Sequence, residues 1–348
     1  MKLEIYPQKR GIQLFKSGKL DGLLSYQPFQ EKGFRSVASH PIVFERWNLY
    51  YASEGVANSL DSWKTLLNGS RVGSVRGSSI DAWLRSHEIS AEYRVESFDQ
   101  LIKMLYQNRI DVFIADERST GETINEGFNG HNFSFKQKFV AFSPLSIHFS
   151  QGRLGEEEFL TRFNSYISSC RPKSLELKYN EGKFVLEKAK LIFDEYINTS
   201  IIRNKVLASN LAHSQKLEES QVARMEKKWD IEKNSHEGDL VSSVVQSEVA
   251  DILRDIMKST EGNILEIIVM NKHGVNIAST GITSDYYQGD EEKYRKTYLK
   301  NSSAIHLSDV RFDGSSNNFG AQVSFTLSNN GVSIGAVTLT MNVYRVFQ

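Results

Sequence analysis

Two modules of different fold class follow one another in this sequence: an α/β module over residues 1–175 and an α+β module over residues 176–348. Three observations predict this. In the first half, helix-compatible stretches alternate with short apolar runs. After Cys170-Arg171-Pro172, from about Phe184 to Trp229, the chain is helix-compatible throughout and holds neither proline nor glycine. Beyond Ile264 the apolar period changes from helical to two, with turn residues between the runs. A chain of 348 residues has room for two domains of roughly 100–200 residues each.

In the first module the spacing predicts helices over Lys9–Lys16, Ser59–Leu67, Ile80–Ser86, Phe98–Gln107 and Glu156–Ser169. Strands are predicted at Gly22–Ser25, Trp47–Tyr51, Arg71–Val75, Val112–Ala115 and Val140–Phe142. This alternation points to a parallel sheet with crossover helices. In the second module Ala189, Ile192, Phe193, Tyr196 and Ile197 form a helical stripe. Asn234–Gly238 breaks the helix and a further one follows over Leu240–Met257. Strands are predicted at Ile264–Met270, Val275–Ala278, Ala304–Val310, Gly320–Leu327 and Ser333–Val343. Lys272-His273-Gly274, Asp313-Gly314-Ser315 and Asn329-Asn330-Gly331 supply turns.

Composition narrows the function classes. Lys+Arg and Asp+Glu both number 42, so the formal charge is zero, which argues against a protein built to hold phosphate backbones. The single cysteine, Cys170, excludes an internal disulfide and a multi-cysteine metal site. No apolar run approaches the ~18–20 residues of a bilayer span, and the opening MKLEIYPQKRGIQLF lacks the pattern of a signal peptide. The histidines are scattered, with no HxH, HExxH or Cys-His arrangement. The acids Glu156-Glu157-Glu158 fall on a predicted exposed helix face. We therefore expect no enzyme, no catalytic residue, no metal site and no cofactor.

Two phrases, LFKSGKLDGLLS from Leu14 and LIKMLYQNRIDVFIAD from Leu101, both read as helix, tight turn, aspartate and strand. Between them RVGSVRGSSID, from Arg71, runs from a strand into a helix start. There Gly77-Ser78-Ser79 either offers N–H groups and hydroxyls to a carboxylate or phosphate, or merely caps the helix. The Walker and dinucleotide-binding glycine patterns are absent.

These pieces, with SHPIVFERWNLYYASE and SWKTLLNGSRVGSVRGSSI in order between them, resemble the type II periplasmic solute-binding proteins over about Leu3–Pro172. The nearest group includes the amino-acid receptors of ABC transporters. The resemblance implies two lobes joined by hinge strands and closing on a small solute. Lobe one would hold Lys2–Ser39, lobe two Ala52–Phe135, with a return through Lys138–Cys170. The chain opens just before the family's second strand, so either the native protein begins upstream of Met1 with an export signal, or lobe one is incomplete. Lys32 stands where amino-acid receptors carry an arginine, and Phe29 where they carry a threonine; lysine cannot supply the bidentate fork to a carboxylate. Asp116 matches the acid that receives an amino group. The expected ligand-binding residues are Gly77, Ser78, Ser79 and Asp116 on one wall and Ser25, Tyr26 and Lys32 opposite.

In the second module Val269–Ala278, the phrase Ser284-Asp-Tyr-Tyr-Gln-Gly-Asp-Glu291 and the closing run Ile334–Val343 resemble Cache (PDC-type) extracytoplasmic sensor domains. The resemblance covers about Phe184–Tyr344. It implies a long N-terminal helix and a PAS-like antiparallel sheet with a ligand pocket on one face. Asp285, Tyr286, Tyr287 and Asp290 place two carboxylates and two aromatic rings on one loop, a set suited to a small amine. The alternative is that Asp285 caps the next helix and the tyrosines pack on the sheet. The helical stripe fits pairing with a second copy and fits burial on its own sheet equally.

Together these expectations describe a periplasmic or extracytoplasmic protein that binds and senses an amine-bearing small molecule. It would work with a membrane signalling or transport component and not with nucleic acid. The rival reading is a solute receptor that delivers its ligand to an ABC transporter.

Overall fold

A computed structural model describes residues 4–6, 8–26, 36–51, 63–118, 120–121, 136–150, 156–170, 175–212, 215, 217–235, 237–313 and 318–347. The chain forms two compact units, Met1–Pro172 and Lys173–Val346.

The first unit is mixed α/β. Its strands are β1 (Gly22–Tyr26), β2 (Ser36–Ala38), β3 (Val43–Tyr51), β4 (Val72–Val75), β5 (Tyr93–Val95), β6 (Val112–Asp116) and β7 (Lys136–Ser150). They form one sheet in the order β1-β7-β3-β6-β4-β5, with β2 also on β7. Helix α1 (Gln8–Lys16) precedes them, α2 (Trp63–Leu67), α3 (Ser79–Ser86) and α4 (Phe98–Tyr106) lie between them, and α5 (Glu156–Cys170) follows them in the chain. The expectation of a parallel sheet is corrected. Only β4–β5 and β4–β6 run parallel; β1–β7, β2–β7, β3–β6 and β3–β7 are antiparallel. The physical reason is β7, a 15-residue strand long enough to pair with three neighbours.

Sequence dictates these elements locally. Gly18, at φ +71°, ends α1, and its N–H donates to the Phe15 carbonyl at 3.0 Å. Asn108, at φ +53°, does the same after α4, with an N–H bond to Leu105 at 3.0 Å. The aspartate that follows α4 then ties two strand starts together. Asp111 accepts the Arg71 backbone N–H at 2.8 Å and its guanidinium Nη2 at 2.7 Å. Trp47, Leu49, Val112 and Ile114 pack with Trp63, Trp83 and Leu84 of α2 and α3 on one sheet face. Leu101, Ile102 and Leu105 of α4 meet Tyr50 and Phe113 on the other.

The second unit is helical and then antiparallel. It contains α6 (Tyr179–Ile192), a π-helical turn (Phe193–Ile197), α7 (Ser200–Ala212), α8 (Glu219–Ser235), α9 (Asp239–Val245) and α10 (Glu248–Ser259). Then come β8 (Ile264–Asn271), β9 (Asn276–Ser279), α11 (Glu292–Arg295), β10 (Ile305–Asp313), β11 (Asn318–Asn329) and β12 (Val332–Asn342). The sheet order is β10-β11-β12-β8-β9, antiparallel throughout.

The expected single helix over Phe184–Trp229 is corrected to α6, the π turn, α7 and α8. The break follows Ile197, where Asn198 leaves helical geometry and Thr199 N–H turns back to the Ile197 carbonyl at 2.7 Å. The predicted helix Leu240–Met257 likewise divides at Gln246-Ser247, because the Ser247 hydroxyl caps α10 by accepting the Ala250 N–H at 3.2 Å. The apolar stripe packs on its own sheet: Ala189, Phe193 and Ile197 are buried, and the Phe193 ring stacks on Phe325 at 4.3 Å.

Register assigns the sheet's two faces. Strand residues alternate, and paired residues share a face. Ile267, Val269, Asn271, Val337 and Phe325 face α6 and α7: Asn271 Nδ2 donates to the Ser209 hydroxyl at 3.0 Å. Glu266, Ile268, Met270, Ala336, Thr338, Thr340, Gln322, Ser324, Thr326 and His306 share the opposite face. There Ile268, Met270 and Ala336 pack against Tyr294 of α11.

Candidate functional site

The face covered by α11 carries the chemistry of the second unit. At one end it is an ordinary apolar contact, with Tyr294 stacked on Tyr298 at 5.2 Å. Along the sheet it turns polar. Thr340 of β12 stands opposite Glu266 of β8, and Gln322 of β11 stands opposite Thr340. The next row holds Thr338, Ser324 and His306. Ser324 and Thr338 are fully buried and satisfy each other through a 2.9 Å hydroxyl pair.

Among the described residues, three polar atoms on this face are buried without a hydrogen-bond partner: Thr326 Oγ1, Thr340 Oγ1 and His306 Nε2. A buried hydroxyl left unpaired costs about 1–3 kcal/mol. His306 Nε2 lies 3.6 Å from a Glu292 carboxylate oxygen, too long for a hydrogen bond. Burial, and next the nearby Lys296 charge, hold the imidazole below its usual pKa, so at neutral pH this contact is not an ion pair.

Glu266 is the unusual group. Among the described residues its carboxylate makes no hydrogen bond and no ion pair. Burial pushes it up to about 7; the charges of Asp313 and Glu291 add to the rise, and Lys293 opposes it. The Lys293 ammonium is itself buried, but it is satisfied elsewhere. It donates to Gln288 Oε1 at 2.7 Å and pairs with Glu291 at 3.1 Å. The face therefore holds a half-buried acid without a counter-ion in contact among the described residues, with the unpaired hydroxyl of Thr340 across the ladder and that of Thr326 farther along the same face.

The loop leading into α11 is held by α8 and by a glycine contact. The Glu226 carboxylate accepts the backbone N–H of Tyr286, at 3.3 Å, and that of Tyr287. Burial raises its pKa, the two amides oppose the rise, and the nearby Asp285 charge adds to it. Trp229 Nε1 donates to the Thr283 carbonyl at 3.0 Å and Lys233 Nζ to the Ser284 carbonyl at 2.7 Å. Gly274, at φ +78°, brings its carbonyl within 2.7 Å of Gln288 N. A Cβ there would sit 2.5 Å from Gly289 Cα, so only glycine permits this approach.

The residues expected to line the second module's pocket do not converge. Asp285 is exposed and its carboxylate accepts the Ser284 hydroxyl at 2.8 Å; Asp290 is exposed as well. Tyr286 is a core residue, with its ring 5.5 Å from Trp229 among Val241, Val244 and Val275, and its burial raises the phenol to about 12. Tyr287 is half-buried and folds over Gly289. The reason is that the loop spends its backbone on α8 and on Asn276, whose Nδ2 donates to the Asp285 carbonyl at 3.0 Å, which turns the acids outward. Sequence reasoning missed Glu266, Thr326 and Thr340. The available signal was a charge interrupting the apolar run ILEIIVMN and threonines alternating in GAVTLTMN.

In the first unit, Gly77, Ser78 and Ser79 follow β4, and Asp116 ends β6, the parallel neighbour of β4. The topology thus brings them to one carboxyl-end edge of the sheet, where open α/β sheets hold ligands. The anion-binding reading of the α3 start is corrected in favour of capping. Ser78 Oγ accepts the Asp81 N–H at 3.0 Å, and the Asp81 carboxylate accepts the Gly77 N–H at 3.1 Å. Asp81 is buried, which raises its pKa. Hydrogen bonds from Gly77 and Ser74, with the charges of Arg85 and Arg94, outweigh that and hold it below the usual carboxylate range. The α3 terminus thus carries its own carboxylate.

Asp116 shares its edge with other acids. It is paired in register with Trp47, whose indole donates to Glu45 at 2.8 Å. Burial raises the Glu45 pKa, and the Asp116 charge adds to it. Arg46 pairs with Glu117 at 3.3 Å. Ser25 and Tyr26 lie in β1, opposite Ser146 and Leu145 of β7. Lys32 and Phe29 lie outside the described residues.

Among the described residues no group of three or more His, Cys, Asp or Glu side chains is placed to hold a metal ion. No helix among them is long and apolar enough to cross a membrane.

No family profile and no curated protein matches the chain. Solved structures similar to it include a protein described as the binding component of an ABC transporter from Wolinella succinogenes, complexed with lysine. The identity is 15%, the match covers 48% of this chain and 71% of that one, and the TM-score is 0.39. An ancestral arginine-binding protein bound to arginine is 18% identical, covering 48% and 73%, at a TM-score of 0.38. The GluR0 ligand-binding core from Nostoc punctiforme with L-glutamate is 16% identical, covering 48% and 75%, at 0.36.

Proposed function

We propose that this chain is a non-catalytic, extracytoplasmic small-molecule-binding protein whose working site is the α11-covered sheet face of the second unit, and that it senses its ligand there. One observation carries the reading: a half-buried Glu266 without a counter-ion in contact, across the ladder from the buried, unpaired hydroxyl of Thr340, with a second such hydroxyl, Thr326, farther along the same face. A face buried for packing alone gains nothing from an unpaired buried hydroxyl, which costs about 1–3 kcal/mol. The antiparallel sheet with one polar, covered face agrees with the Cache-type resemblance of the sequence. Sensing requires a difference in ligand affinity between two conformations. The loop of residues 283–287, bound to α8 on one side and leading into α11 on the other, is the element through which occupancy would be felt.

A second reading, delivery of a solute to an ABC transporter, is favoured by the first unit alone. There the solute-binding resemblance coincides with an edge where Glu45 and Asp116 place two carboxylates near each other.

The test is a thermal-shift screen of the full chain against amines, amino acids and carboxylates. A ligand present at 100 times its dissociation constant adds about 2.7 kcal/mol, which raises the melting temperature of a protein this size by a few degrees. A hit lost on substituting the polar face supports the second unit. A hit lost only on substituting Asp116 supports the transport reading. No shift with any class overturns both.

A further inference from the structure

The geometry points to Glu266, and not Asp285 or Asp290, as the counter-ion for a cationic amine on the ligand, with ligand and proton competing for the same carboxylate. This deepens the binding-site reading above and rests on it.

Three independent placements support the assignment. Glu266 is half-buried on the α11-covered face and has neither a hydrogen bond nor an ion pair among the described residues. Directly across the ladder, Thr340 is more than nine-tenths buried and its hydroxyl is unpartnered; Thr326, on the same face, is in the same state. A primary ammonium group offers several donors, and a carboxylate with neighbouring hydroxyl oxygens supplies acceptors for them. By contrast, Asp285 and Asp290 are already in water, where a surface charge pair contributes little.

Of the charges that act on Glu266, Asp313 and Glu291 are negative and Lys293 is positive; Arg311 of β10 shares this face by register but is exposed to solvent. Lys293 of α11 is engaged by Gln288 and Glu291, while Asp313 of β10 and Glu291 add negative charge. Thr340 of β12 and Gln322 of β11 are uncharged, and His306 of β10 is held neutral by burial. An anionic ligand would meet this field unfavourably, and a neutral one would leave the carboxylate unpaired.

Proton competition follows from the same environment. With its carboxyl pushed up to about 7, Glu266 is substantially protonated at pH 6 and mostly ionised at pH 8. A cation binds the ionised form, so its apparent affinity rises with pH by about tenfold over that interval. Binding near pH 7 releases part of a proton to the buffer.

The experiment is isothermal titration of the full chain with ethanolamine, 1,4-diaminobutane and L-alaninamide, and with acetate, succinate and acetamide as anionic and neutral counterparts. Titrations run between pH 6 and pH 8 in two buffers of different ionisation enthalpy. We expect an amine to bind, to gain about tenfold in affinity across that range, and to release protons on binding. Glu266→Gln should weaken it at least tenfold at pH 8 and flatten the pH profile; Asp285→Asn should leave both unchanged. Proton release from the wild-type chain reads the same linkage if Glu266→Gln fails to fold. Amine binding with an unchanged affinity and pH profile in Glu266→Gln overturns the assignment. Binding of carboxylates or acetamide but no amine overturns it too, while leaving the small-molecule reading intact. Absence of binding by every compound overturns both.

Discussion

Thr340 stands directly across the β12–β8 ladder from Glu266, and its hydroxyl has no hydrogen-bond partner among the described residues although the residue is buried. The two residues sit on a face that α11 covers. Their polarity is therefore an expense of the ligand-free fold that a ligand can offset.

Thr340→Val tests that relationship. Valine keeps the shape and removes the unpaired hydroxyl, so the ligand-free chain should become more stable by about 1 kcal/mol. The same substitution should weaken amine binding severalfold. Urea melts and titration calorimetry read the two effects, which must have opposite signs. A loss of stability would show that the hydroxyl is satisfied in solution.

The pH dependence of stability gives a second prediction. The folded Glu266 carboxyl lies near 7, above its ordinary 4.5, so the folded state binds the extra proton. The stability this contributes is fully present below pH 4.5 and is lost as pH rises through about 7. Relative to Glu266→Gln, the wild type should therefore lose on the order of 2 kcal/mol between pH 5 and pH 8. Denaturant melts of both proteins at four pH values measure the difference. Parallel curves would contradict it.

Gly274 is the third case. A methyl group there meets the Gly289 backbone at 2.5 Å on a left-handed residue, so Gly274→Ala should cost at least about 2 kcal/mol. Gly281→Ala meets nothing within 4 Å and should be close to neutral. Equal stabilities of the two variants by chemical denaturation would show that the hairpin turn does not bear on the residue 288–289 loop.

The elements were legible in the sequence where one chemical signal governed them. The α4 phrase ended at Asn108 and led to Asp111 and β6 as its residues required. The closing strands β11 and β12 were legible because every second residue is apolar. Strand β7 was visible only at Val140–Phe142: Ser143 and Pro144 interrupt the apolar run, yet Pro144 still takes a place opposite Phe44. Strands β2 and β5 span three residues each, too short for a period to show. The candidate site was hidden for a different reason. In a two-residue period, Glu266, Thr338 and Thr340 read as the solvent side of their strands. Only the tertiary placement of α11 turns that side inward. The acids of the 285–290 loop invited attention because they cluster in sequence, but Glu226 fixes the backbone beside them and they end in water.

Methyl spectroscopy shows whether ligand occupies the α11-covered face of the second sheet. The full chain, labelled at Ile, Met, Thr, Ala and Val methyls, is titrated with the amine that gives the largest thermal shift. Saturating shifts should appear at Thr326, Thr340, Ile268 and Met270, which share that face, and not at Ile267, Val269 or Val337 behind it. Shifts confined to the first unit, for example at Val72 and Ile114, or to the face behind, would mean that the ligand binds elsewhere.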